Sequence, residues 1–274
     1  MRISVSHKTH YRYERPVKAL TQILRMTPRG DGGQHVRRWR IEPSVDGRLH
    51  PRQDSFGNIV HTFSADATVE AITMCVTGEV ETHDAGGVVR GSVERLPDPV
   101  YLRDTDLTVP DEAIRAFAQD LGGGSSDRLA TLHRLLEALH RQVAFDTSPT
   151  HVTTTAAEAF TLGRGVCQDL THIFIAAARC LDIPARYVSG YLYRVDGVVE
   201  QEAGHAWAEA KVPHLGWVGF DAANGISVSD AHVRVAVGLD YLGAAPVRGS
   251  RTGGGSEDLD VSLTVDSAQR QAQT

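Results

Sequence analysis

CQDLTHIFIAAARCLDIPARYVSGYLY, residues 167 to 193, changes its hydrophobic period midway, and that change decides the fold class. From Cys167 to Leu181 the residues Leu170, Ile173, Phe174, Ala177 and Leu181 recur at helical spacing as one apolar stripe, and Ile183-Pro184 ends the run. Three strand-like runs follow, Ala185 to Tyr193, His205 to Val212 and Gly216 to Ala222, separated by turn segments around Asp196-Gly197 and Pro213 to Leu215. A buried helix followed by antiparallel strands predicts an α+β fold.

Upstream, Thr155-Ala156-Ala157-Glu158 is a capping-box pattern and predicts a short helix to about Leu162, stopped by Gly163-Arg164-Gly165. Asp111 to Leu121 has a helical period that ends at Gly122-Gly123-Gly124. Leu129, Leu132, Leu136, Leu139 and Val143 continue it behind the cap signals Ser125-Ser126-Asp127. Before residue 105 the period is two: Ile3/Val5, Val60 to Phe63 and Ile72/Met74/Val76 alternate, with Asp54 to Asn58 as a turn. The expected organisation is a β-rich domain over 1–105, a helix-and-sheet core over 106–243, a flexible Gly/Pro/Ser/Arg linker over 244–256, and a strand over 257–266 returning to a sheet. Residues 267 to 274 are expected to fray.

Bulk composition narrows the partners. A net charge of -6 gives no reason to expect nucleic acid, and no window reaches the roughly 18 apolar residues of a membrane span. The N-terminus is polar and strand-like, without the apolar stretch of a secretory signal. Cys75, Cys167 and Cys180 are too few and too far apart for a disulfide framework or a metal knuckle. A cytoplasmic protein without cofactor or metal is expected; its oligomeric state is left open.

The start of a helix stabilises a thiolate through unpaired N–H groups, which makes Cys167 the candidate nucleophile. Gly165 allows close approach of substrate, and the Cys167 amide is placed to donate to an oxyanion. An ionised Asp169 in the same turn opposes the thiolate, so an imidazolium is required nearby. In His205 to Val212, His205, Trp207, Glu209 and Lys211 share one face, and Ala206, Ala208, Ala210 and Val212 the other. Asp221 shares its face with Trp217 and Gly219 on the next run.

His205 and Asp221 meet on one face only if paired residue numbers in these two strands add to an even total, as with Trp207 opposite Asp221. That condition predicts an odd-length turn or a bulge near Pro213 to Gly216. Cys180 reads as core packing and Cys75 has no assigned role. His172 reads as a structural hydrogen-bonding residue and Glu209 as an ion-pair partner of Arg186. A metal set of Cys167, His172 and His205 lacks a fourth ligand.

The blocks Gly165-Val166-Cys167-Gln168-Asp169, Ile183 to Tyr191, Gly204-His205-Ala206-Trp207-Ala208-Glu209 and Gly216 to Asp221 resemble the bacterial transglutaminase-like family. Tyr11 to Val17 and Asp54 to Val60 resemble the β-rich domain that precedes this core in many members. The resemblance implies a papain-like core with a Cys167, His205, Asp221 triad, a thioester intermediate and a peptide or protein substrate. Gly165, Gln168, Gly204, Trp207 and Trp217 are the expected cleft residues. Cysteine protease or amidase activity is implied, with a transglutaminase or a non-catalytic binding module as alternatives. Asp221-Ala222-Ala223 departs from the family's usual Asp-Pro-Thr but keeps the carboxylate.

Overall fold

A computed structural model of the chain describes residues 1–267 apart from 123, 125 and 149; the part of the expected frayed end beyond 267 lies outside the described residues. The N-terminal sheet is organised by one long strand, β1 (Arg2–Thr27), followed by β2 (Gln34–Pro43), β3 (Gly47–Gln53), β4 (Ile59–Ala65) and β5 (Val69–Thr82). Burial along β1 falls on odd residues first (Ile3, Val5, His7, Thr9, Tyr13, Val17) and then on even ones (Leu20, Gln22, Leu24, Met26). A register shift between Val17 and Ala19 accounts for this change of phase, because one extra residue turns every later side chain to the opposite face. Pro16, which has no N–H to donate to a ladder, sits in the irregular stretch just before it.

The second half begins with α1 (Glu112–Gly122), α2 (Arg128–Gln142), β6 (Ala144–Phe145), α3 (Ala156–Leu162), β7 (Arg164–Gly165) and α4 (Cys167–Cys180). It continues with β8 (Ala185–Leu192), β9 (Glu200–Gln201), β10 (His205–Val212), β11 (Gly216–Asp221), β12 (Ile226–Ser227), β13 (His232–Gly238), α5 (Tyr241–Ala244), β14 (Val247–Gly253) and β15 (Glu257–Ser267). The Thr155 and Glu158 side chains form the capping box that starts α3. An antiparallel sheet ordered β12-β11-β10-β8-β13 carries α4 on one face. The small side chains of Ala206, Ala208 and Ala210 let the helix approach, so α4 is buried from Gln168 to Arg179, and Phe174 stacks on Phe220 at 5.2 Å. The fold is α+β.

The other face of this sheet is covered by the N-terminal half. Asn58, from the turn at Asp54–Asn58, donates to the Val237 carbonyl at 2.7 Å and accepts the Val237 amide at 2.8 Å. Gln34 does the same to Arg234, at 2.7 and 2.9 Å. Two side-chain amides thus satisfy backbone groups of β13, the edge strand of its sheet. Ile3, Val5, Val80, Leu263 and Val265 join the core built around α4, so one apolar core crosses the expected division at residue 105.

The flexible linker expected over 244–256 is corrected. Residues Val247–Gly253 form β14, antiparallel to the second half of β1, while β15 runs antiparallel to the first half. The open edge of β1 supplies a ladder of backbone partners, which outweighs the loop-forming composition of the segment. Its glycines serve the reversal: Gly253, Gly254 and Gly255 all adopt positive φ between the two strands.

Candidate active site

The start of α4 is fixed by the residues around Cys167. Gly165 is held in a two-residue parallel ladder with Phe145, and Asp146 donates to its carbonyl at 2.9 Å. Asp169 folds back to accept the Val166 amide at 2.8 Å and the Thr150 hydroxyl at 2.8 Å. Burial raises the Asp169 carboxyl above its ordinary range, against the pull of those two donors. Asp169 therefore serves as the cap of the helix, its carboxylate turned to Val166 and Thr150. The first helical bond runs from Leu170 to Val166, which leaves the amides of Cys167 and Gln168 ahead of the ladder.

The pairing of β10 with β11 sets the geometry opposite Cys167. Ala208 pairs with Phe220 and Val212 with Gly216, both even totals. The turn has three residues, Pro213-His214-Leu215, with His214 at φ 66° and Gly216 at φ 85°. In this register His205 and Asp221 share a face, and His205 Nε2 lies 2.7 Å from Asp221 Oδ2. The Cys167 thiol acts on the same imidazole, and with Nε2 taken by Asp221 the nitrogen left for it is Nδ1.

Burial pulls the proton affinity of His205 down, but the hydrogen bonds and charges of Asp221 and Cys167 outweigh it and raise its pKa to about 10. Asp221 is fully buried at the end of β11. Burial alone would push its carboxyl up. Donors from His205, His232 and Asn224 hold it well below the ordinary carboxylate range instead.

Two members of this constellation lie outside the sequence reading. His232, the first residue of β13, places Nε2 3.1 Å from Asp221 Oδ2. Asn224 donates its side-chain amide to the same oxygen at 2.7 Å and its backbone amide to Oδ1 at 3.2 Å. The alternation His232, Arg234 against Val233, Val235 was the available signal for a strand here. His205, Asp221 and His232 offer three metal-ligating atoms within 4.8 Å of one another. Both imidazole nitrogens point at one carboxylate oxygen at hydrogen-bonding distance, so the geometry fits a proton-sharing chain better than an ion.

The expected cleft residues separate. Gln168 donates to the Val152 carbonyl at 3.2 Å and ties the 150–154 loop to α4. Gly204 packs against the Gly190 carbonyl, immediately before His205. Trp207 and Trp217 are corrected: neither lines an open cleft, their exposures being 1% and 4%. Trp207 packs with Val188 and Val237 and lies edge-on to His232 at 5.2 Å, while Trp217 lies 3.9 Å under the Arg186 guanidinium and donates to Glu94 at 2.6 Å. Alternation placed both on the face of His205, but that face is covered by the N-terminal half.

His172 sits in the middle of α4 as an acceptor for the Tyr241 amide at 3.0 Å, and burial holds its pKa down to about 4. Glu209 is ion-paired with Arg186 at 2.7 Å and also with Arg234 at 2.6 Å.

A thiol on the first turn of a buried helix, facing a histidine and carboxylate on an adjoining antiparallel sheet, defines a papain-like architecture. The chain belongs within it to the transglutaminase-like superfamily, whose core model matches residues 115–222, preceded by a bacterial transglutaminase-like N-terminal region over 3–81. An uncharacterised protein of Mycobacterium leprae (strain TN) is 30% identical over 96% of this chain and 98% of its own length. An uncharacterised protein of Mycobacterium tuberculosis (strain H37Rv) is 27% identical over 96% of this chain and 92% of its own. The crystal structure of a candidate cysteine protease from Cytophaga hutchinsonii has the same fold, with a TM-score of 0.78 over 98% of this chain and 91% of that one at 20% identity.

Proposed function

We propose that the chain is a thiol-dependent acyl-transfer enzyme that cleaves amide or peptide bonds as a cysteine protease or amidase. The observation that carries this reading is the position of one imidazole, His205, between the Cys167 thiol and the buried Asp221 carboxylate. The reacting pair in this mechanism is the Cys167 thiolate with the His205 imidazolium. The thiolate attacks the amide carbonyl carbon, a C–S bond forms, and the carbonyl electron pair moves to oxygen. The Cys167 amide donates to that oxyanion. His205 then gives its Nδ1 proton to the leaving nitrogen as the C–N bond breaks, and a thioester remains. Neutral His205 next takes a proton from the attacking water, the acid departs, and the thiolate and imidazolium are restored.

Cys167 and His205 both keep partial exposure, which gives water a route to the thioester and favours hydrolysis over transfer to an amine. The three cysteines are free thiols, in keeping with a reducing compartment.

Incubation with mixed peptides and a dansylated alkylamine tests the reading. Peptide cleavage that disappears in Cys167→Ala and His205→Gln supports it, whereas amine-linked product alone makes the enzyme a transglutaminase. With neither product, and Cys167 alkylated by iodoacetamide no faster than a model thiol near pH 6, the chain is a binding module and not a thiol enzyme.

A further inference from the structure

His232 is 4% exposed and meets Asp221 beside His205, the two ring centroids 6.0 Å apart. Its Nδ1 accepts the Ser229 amide at 3.2 Å, so the proton of the ring is on Nε2, aimed at Asp221 Oδ2. That is the oxygen His205 uses. Trp207 packs edge-on to the His232 ring and fixes its plane. The other titratable groups around it are Glu209, Arg234, Asp31 and His83, which line with it a cavity of about 60 Å³ behind the pair.

We propose, resting on the thiol-enzyme reading above, that His232 is a positioning residue of the reaction: a tautomer-locked donor that holds the Asp221 carboxylate in place for His205. A carboxylate buried beside one imidazole is free to rotate about its terminal torsion and to present either oxygen. The Asn224 backbone amide on Oδ1, together with the Asn224 side-chain amide and His232 on Oδ2, removes that freedom.

The test needs no knowledge of the substrate. The rate of Cys167 alkylation by iodoacetamide is measured against pH in the wild-type chain, in His232→Gln, whose amide reaches the Nε2 position, and in His232→Leu, which has no donor. Thermal unfolding of each variant verifies folding. In His232→Leu the rate near pH 6 falls about tenfold, the equivalent of one lost hydrogen bond to a charged group. The alkaline limb of its profile moves to lower pH, because a carboxylate that has turned away holds the His205 proton less firmly. His232→Gln restores most of the rate and the wild-type limb. Superimposable profiles for folded wild-type and His232→Leu chains overturn the proposal, as do equal losses in both variants with an unmoved limb, which mark a packing role only. A wild-type chain with no activated thiol sinks the thiol-enzyme reading instead, so the two failures are distinct. If His232→Leu does not fold, His232→Gln decides: a rate within about threefold of wild type with an unmoved limb upholds the proposal, and a loss near tenfold overturns it.

Discussion

Gly165 and Asp169 compete for one small space: a Cβ at residue 165 would lie 2.6 Å from Oδ2 of Asp169 and 2.8 Å from its Cβ. The oxygen concerned is the one that caps the Val166 amide. Gly165→Ala therefore forces the carboxylate off the helix start, two residues from Cys167. Loss of such a cap costs about 0.5–2 kcal/mol of stability. The Cys167 alkylation rate falls as well, because the amides ahead of the ladder are no longer held in place. Unchanged unfolding and alkylation curves would show that the space can relax without moving Asp169.

Asn58 makes two hydrogen bonds to the backbone of Val237 in a buried setting. Asn58→Ala leaves a peptide N–H and a C=O of β13 without those partners, at a cost of about 1–3 kcal/mol for each group that water does not reach. Asn58→Asp is the sharper probe. It keeps the acceptor for the Val237 amide but sets an oxygen against the Val237 carbonyl, so it is also destabilised in urea titrations at pH 7. A variant as stable as the parent would mean that β13 does not depend on the N-terminal half for its edge.

The pair His205 and Asp221 gives stability a defined pH window. The folded pKa of His205 is raised from 6.5 to about 10, so its contribution is complete below pH 6.5 and is lost as pH climbs through 10. Asp221 is depressed, so its contribution is complete above the ordinary carboxylate range and is lost as pH falls through its folded value. Chemical unfolding of the wild type is expected to weaken steadily between pH 6.5 and 10, and this slope is expected to flatten in His205→Gln. An equally steep slope in that variant would assign the titration to another group.

The legible part of this molecule is the part that depends on local period. Alternation with period two put His205 and Asp221 on known faces, and parity arithmetic then required an odd turn, which the left-handed His214 and Gly216 supply. The capping box at Thr155 and the stripe of α4 were legible for the same reason. Partnership between distant segments was not. Nothing near His232 in the chain reveals that β13 lies beside β8, and only that placement brings its ring to Asp221. Trp207 and Trp217 show the same limit from the other direction, since alternation gives the face of a residue but not what covers it. β14 shows that composition yields to an unpaired strand edge.

Glu209 is the last case where burial decides the outcome. Its carboxylate is 1% exposed and is held by Arg186 at 2.7 Å and Arg234 at 2.6 Å. Burial pushes its proton affinity up, yet the two guanidiniums bring its pKa down to about 2. Glu209→Gln keeps the shape and removes the charge, which takes the paired carboxylate from buried Arg234 and leaves Arg186 with Glu94 alone, at a cost of about 3–5 kcal/mol. Arg234→Met alone costs less, because Arg186 still neutralises the glutamate. Adding Arg234→Met to Glu209→Gln is expected to recover part of the loss, since the cation left without its glutamate goes with it. A double-mutant cycle read by urea unfolding measures this. If the two changes simply add, Glu209 and Arg234 are not coupled, and the network on the covered face of β10 contributes through packing instead of charge.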